Sequence, residues 1–99
     1  MLASHYAPDT QLRLNATEAR PGEAIIRFGG IALAGEEAAK RVMDLSPSGD
    51  LREAAANLFD LLKKADAAGA SGIAVATVPG HGLGEAINDR LRRAAAPKD

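Results

Sequence analysis

Two short stretches gather the side chains able to do chemistry: Ser46-Pro47-Ser48-Gly49-Asp50 and Pro79-Gly80-His81-Gly82-Leu83-Gly84. Hydroxyls, a carboxylate, an imidazole and closely spaced glycines are the groups that hold an anion or approach a nucleotide. Glycine lets the backbone come close, and a following helix presents free N–H groups with partial positive charge. Each group also has a plainer use. Ser46 and Ser48 serve first as turn and cap residues and second as anion ligands, and glycines in a strand-to-helix turn often answer only to backbone geometry. The spacing of Gly80, Gly82 and Gly84 is G-x-G-x-G, which matches neither the dinucleotide fingerprint nor the phosphate loop ending in Gly-Lys-Ser/Thr.

Catalysis by His81 requires a nucleophile and an orienting carboxylate around it, and no such trio stands nearby in the sequence. No catalytic residue is therefore assigned. The two histidines, His5 and His81, are too far apart in sequence to argue for a metal site, and the chain has no cysteine, which removes disulfides, zinc thiolates and thiol nucleophiles. The absence of cysteine fits a reducing compartment, so a cytoplasmic location is expected. No stretch of about 20 uninterrupted apolar residues occurs, and Met1 to Pro8 lacks a basic segment leading into an apolar run, so neither a membrane span nor export is expected.

The elements that must position these turns follow from periodicity. Gln11-Leu12-Arg13-Leu14-Asn15 alternates and reads as a short edge strand; Asn15 to Glu23 reads as a connection with room for a helical turn. Ala24-Ile25-Ile26-Arg27-Phe28, stopped by Gly29-Gly30, reads as a buried strand, followed by a loop with a helical turn over Ile31 to Lys40. Arg41 to Leu45 alternates into the first turn. Leu51 to Ala68 then repeats apolar residues at three and four, with Asp50 as N-cap, Glu53 reaching back in a capping-box variant, and Gly69 at the C-cap. Gly72 to Val78 is apolar throughout, as in a strand covered on both faces, and a final helix runs from Leu83 or Gly84 to Ala95.

Strand, helix, strand and helix in this order place Arg41–Leu45 and Gly72–Val78 parallel. The fold expected is α/β: a small, Rossmann-like, mainly parallel sheet with helices packed on it. Both turns then leave carboxyl ends of strands and share one rim, where open α/β sheets usually take their ligands. Ser46, Ser48, Gly49, Asp50, Gly80, Gly82 and Gly84 are the candidate ligand or docking edge.

Composition agrees with one domain. A chain of 99 residues buries roughly 60–65% of its unfolded surface, enough for one core, and with only Tyr6, Phe28 and Phe59 aromatic that core is built from Ala, Leu, Ile and Val. The formal net charge is −1 with both signs interleaved, so direct nucleic-acid binding is not expected. The basic cluster Arg90, Arg92, Arg93 and Lys98 falls at a helix end, where it complements the dipole.

Three separated segments carry a resemblance. Met1 to Pro8, Met-Leu-Ala-Ser-His-Tyr-Ala-Pro, resembles the interdomain linker of the two-domain L-threonylcarbamoyladenylate synthase family, in which His-Tyr-x-Pro occurs. Leu45 to Leu51, continued by Glu53 to Phe59, is similar to the strand-loop-helix of that family's C-terminal domain, and Gly82 to Leu91 to its closing helix. The resemblance implies a linker arm over residues 1–10 and a C-terminal α/β domain over 11–99. It implies a role in making threonylcarbamoyl-AMP and pyrophosphate from threonine, bicarbonate and ATP, for the threonylcarbamoyl adenosine of tRNA.

In that family the nucleotidyltransferase chemistry, with ATP and a divalent cation, belongs to an N-terminal YrdC-like domain. This chain is accordingly expected to be non-catalytic, to hold no cofactor, and to have that domain as its partner. His5, Tyr6 and Pro8 would form a strap across the catalytic mouth, Tyr6 acting as an aromatic lid. His81 departs from the family, which often has acidic residues in that turn. The competing expectation is a stand-alone nucleotide- or phosphate-binding α/β module; a small-enzyme reading lacks its catalytic constellation.

Overall fold

The computed structural model describes residues 9–96, and His5, Tyr6, Pro8 and Lys98 lie outside that range. Four strands, β1 (Leu12–Ala16), β2 (Ala24–Arg27), β3 (Arg41–Asp44) and β4 (Ile73–Ala76), form one sheet in the order β1-β4-β2-β3. Every pairing in it is parallel. Helix α1 (Leu51–Ala67) connects β3 to β4 and passes over β2, which lies between them; α2 (Leu83–Ala95) follows β4. The expected α/β architecture is the one observed.

Strand alternation sorts the core into two faces. Ala24 and Ile26 of β2, with Ile73 and Val75 of β4, pack against Leu58, Leu62, Ile87 and Leu91 from the two helices. Burying each such Leu, Ile or Val contributes about 1.5–3 kcal/mol, so this layer carries most of the stability. The opposite face holds Ile25 and Ala74 with Ala16 and Leu33. Among the described residues no helix covers that side; the connections on either side of β2 do, with a 3-10 turn at Glu36–Ala38. Ala16 reaches this face because Asn15, at φ 55, makes a bulge that shifts the β1–β4 register.

Two ion pairs fasten the covering segments. Arg27 on β2 grips Glu36 through its Nε and Nη2, and Glu36 also accepts the Leu33 N–H at 2.9 Å. The Arg27 hydrogen bond, then the Leu33 N–H, hold the Glu36 carboxyl below its ordinary range. Arg13 on β1 meets Glu23 at 2.8 and 3.2 Å, and the Arg20 N–H adds a third bond at 2.7 Å.

Glu23 is buried, and burial pushes its carboxyl up; the bonds from Arg13 and Arg20 outweigh that and leave it lowered. A carboxyl held low in the fold takes up protons more readily when unfolded. Its stabilisation is therefore complete above the unfolded value of about 4.3 and is lost as pH falls through the lower folded value. The urea midpoint is expected to hold level from neutral pH to about 5 and to drop below about 4.3, and Glu23→Gln is expected to flatten that acid limb. An unchanged acid limb in Glu23→Gln would place the titrating groups elsewhere.

Three local expectations are corrected. The connection from Thr17 to Glu23 contains no helical turn; it runs as an isolated parallel bridge, Glu18 to Ala34, and a turn at Pro21-Gly22. Helix α1 ends at Ala67, one residue short of the expected Ala68, while Gly69 takes the expected left-handed conformation at φ 69. Asp50 caps Arg52 and Glu53 as expected, but Glu53 does not reach back to the Asp50 N–H. The Ser46 hydroxyl lies between them, accepting from Asp50 N at 2.8 Å and donating to Glu53 at 2.6 Å.

Candidate functional site

Because the sheet is wholly parallel, the turns after β2, β3 and β4 all emerge at its carboxyl rim. The turns after β3 and β4 each open a helix, and the two helix starts adjoin. A Cβ placed on Gly84 would lie 3.5 Å from Leu51 Cδ2. The structure thus brings Ser46, Ser48, Gly49 and Asp50 to the same rim as Gly80, Gly82 and Gly84.

The seven residues do not play equal parts there. Ser46 is fully buried and its hydroxyl is committed to Asp50 N and Glu53, with Ser48 Oγ at 3.3 Å, so it shapes the turn from beneath. Asp50 turns its carboxylate inward onto the first N–H groups of α1. Ser48 and Gly49 are exposed, and Gly49 takes φ 79. On the other turn, Gly80 and Gly82 face open space, whereas Gly84 is pressed against the Pro79 carbonyl. His81 is exposed beside them. Among the described residues, no cluster of three His, Cys, Asp or Glu is arranged to hold a metal ion.

Five further residues build the rim and were not singled out as site residues from sequence. Gly29 and Gly30, read there only as a strand stop, lean on the turn after β3: Gly29 N donates to Ser46 O at 2.8 Å, and a Cβ on Gly30 would stand 2.9 Å from Pro47 O. Asp44 ties both loops, accepting from Gly30 N at 2.9 Å and Ser46 N at 3.0 Å. Each helix also sends one asparagine amide back to its own turn. Asn57 of α1 donates to Leu45 O at 3.0 Å, and Asn88 of α2 to Val78 O and Gly84 O at 2.9 Å each. A lone asparagine inside an otherwise Ala- and Leu-rich helix, where its propensity is poor, is the sequence signal that points to such a clamp.

The resulting rim is rigidly laced and carries exposed apolar groups. Ile31, directly after Gly30, is 70% exposed, and Leu83, the first residue of α2, is 46% exposed. Its electrostatics are mixed. At α1 the dipole is already answered by Asp50, while at α2 the N-cap Gly82 supplies no side-chain bond and Glu85 stands in the first turn. The basic residues at the far end of α2 are drawn to Asp89, which Arg93 meets at 2.9 Å and Arg92 at 3.8 Å. No helix among the described residues is long and apolar enough to cross a membrane.

A family model, threonylcarbamoyl-AMP synthase, C-terminal domain, matches residues 1–96. No curated protein and no solved structure matches the chain.

Proposed function

The chain belongs to the threonylcarbamoyl-AMP synthase C-terminal domain family, and from that premise we propose that it is a docking and regulatory domain for a YrdC-like catalytic domain. The observation that carries this reading is the laced carboxyl rim with Ile31 and Leu83 exposed along it. Single exposed apolar residues are ordinary, but here two stand on one edge whose loops are fixed by Asp44, Asn57 and Asn88. A rigid, partly apolar rim suits another folded surface better than a small flexible solute. The exposed Ser48, Gly49, Gly80 and Gly82 then supply close-approaching backbone at its centre.

In this reading the reaction lies on the partner. Threonine, bicarbonate and ATP are joined there into threonylcarbamoyl-AMP with release of pyrophosphate, for tRNA modification, and that domain holds the ATP and divalent cation. The strap bearing His5, Tyr6 and Pro8 crosses the catalytic mouth, where the Tyr6 ring and hydroxyl govern nucleotide entry or pyrophosphate exit.

A linker of this kind supplies an effective concentration of about 1 mM, so separated domains are expected to associate with a Kd at or below about 1 mM. Mixing the chain with a separately produced catalytic domain is expected to alter ATP- and threonine-dependent pyrophosphate release, while the chain alone releases none. No association at about 1 mM, or threonylcarbamoyl-AMP formed by the chain alone, would overturn the proposal.

A second reading, a stand-alone module binding a nucleotide or phosphate, is favoured by one observation: Gly82 leaves the start of α2 without a side-chain cap. Glu85 in that first turn opposes it. Titration with ATP, AMP and pyrophosphate decides; saturable amide shifts at Gly82 and Ser48 would favour this reading.

A further inference from the structure

The two edge strands of the sheet are built differently. The bulge at Asn15 shifts the register of β1 and spoils that edge as a template for a further strand. β3 keeps one register with β2 through its whole length, from Ala24 with Arg41 to Arg27 with Asp44. Among the described residues, β3 pairs with β2 alone. Leu45 N–H reaches Arg27 O at 2.9 Å across the register pair Arg27–Asp44, so Arg41 and Met43, in step with Leu45, turn their backbone groups to β2. The N–H and C=O of Val42 then point off the sheet.

The side chains of this edge carry matching features. Val42 shares a face with its register partner Ile25, and where Ile25 is fully buried Val42 is 40% exposed. Lys40 stands two residues before Val42, is exposed, and makes no ion pair within the described residues. Asp44 stands two residues after it. An apolar residue is thus centred between a cation and an anion, a pattern complementary to itself when reversed.

We propose that β3 pairs antiparallel with β3 of a second copy, about a two-fold axis at Val42, so that one sheet runs through both molecules. Each Val42 donates its N–H to the carbonyl of the other, and the two side chains meet on the face of Ile25. Lys40 of each copy comes opposite Asp44 of the other. Asp44 keeps its bonds from Gly30 N and Ser46 N, because each carboxylate oxygen has a second lone pair.

Other registers fit worse. An axis at Arg41 sets two arginines face to face, and one at Met43 sets Val42 against Asp44. A strand of four residues engages far fewer than the roughly 20–30 a side of a stable dimer, so a Kd of about 0.1–1 mM is expected. The inference is independent of the docking proposal, since the edge of β3 and not the carboxyl rim takes part.

The test is a dilution series of the ¹⁵N-labelled chain from about 2 mM to about 0.05 mM, which brackets that Kd. The amides of Arg41 to Asp44 are expected to shift with concentration along one binding curve, with Phe59 and Leu83 unmoved. Lys40→Glu sets like charges opposite one another twice in the dimer and is expected to weaken association about tenfold. Val42→Pro removes the outward N–H, which an edge strand tolerates, and is expected to abolish association with the far-UV circular dichroism unchanged. Parent spectra that do not change with concentration overturn the proposal, as do shifts centred on Phe59 or Leu83. Association unchanged in Lys40→Glu overturns it as well, and that variant decides alone where Val42→Pro does not fold.

Discussion

Gly84→Ala is expected to destabilise the domain by at least about 3 kcal/mol, although glycine to alanine inside a helix ordinarily stabilises by about 1 kcal/mol. The reason is a close approach of backbone to backbone. A Cβ at position 84 would lie 1.8 Å from the Pro79 carbonyl oxygen and 2.9 Å from its carbon. Pro79 has little freedom to retreat, because Asn88 bonds the neighbouring Val78 carbonyl at 2.9 Å and reaches Pro79 O at 3.4 Å.

Accommodating the methyl group means moving the turn and the start of α2 together. In urea, with m of about 1.5 kcal/mol per molar, the midpoint is expected to fall by about 2 M. Gly80→Ala is the control: its Cβ position meets nothing within 4 Å, and its effect is expected to stay within about 0.5 kcal/mol. Equal effects at the two positions would mean that the turn after β4 is not built as described.

Ser46→Ala is expected to cost about 2 kcal/mol through polar groups alone, since removing one oxygen from a fully buried site leaves the Asp50 N–H unpaired and the Glu53 carboxylate without its donor. The loss falls on the start of α1. Hydrogen exchange is expected to accelerate at Asp50 beyond any change at the C-terminal end of that helix. A cost under about 0.5 kcal/mol would show that solvent replaces the hydroxyl without penalty.

These two residues also show how far the sequence could be read. The four strands and two helices were legible because their apolar spacing is regular: Ala24 to Phe28 and Gly72 to Val78 are nearly continuous apolar runs, and Leu51, Ala54, Leu58, Leu62 and Ala65 keep one stripe. Parallel order then placed both turns on one rim. Partners within the rim were not legible, since a capping box assigns Glu53 by spacing alone while the third party, Ser46, is chosen by the three-dimensional turn. Gly29 and Gly30 were legible as a stop, but their packing on Pro47 depends on β2 and β3 being neighbours.

The cover of the second face was hidden for a different reason. Ile31 to Lys40 has neither period; Leu33 and Ala39 pack on the second face, and Arg27 grips Glu36. The bulge at Asn15 was likewise invisible, because alternation in Leu12 to Asn15 continues unbroken in the one-dimensional pattern. Exposed Ile31 and Leu83 carried no signal either; exposure is decided by what the fold leaves uncovered.

Docking through the carboxyl rim is tested most directly by titrating the ¹⁵N-labelled chain with an unlabelled YrdC-like catalytic domain and mapping the amide shifts. The expected footprint is Ile31, Ser48, Gly49, Gly80, Gly82 and Leu83, with the opposite edge of the sheet, around Ser71 and Lys40, unmoved. A footprint centred on that opposite edge, or no footprint at all, would contradict it.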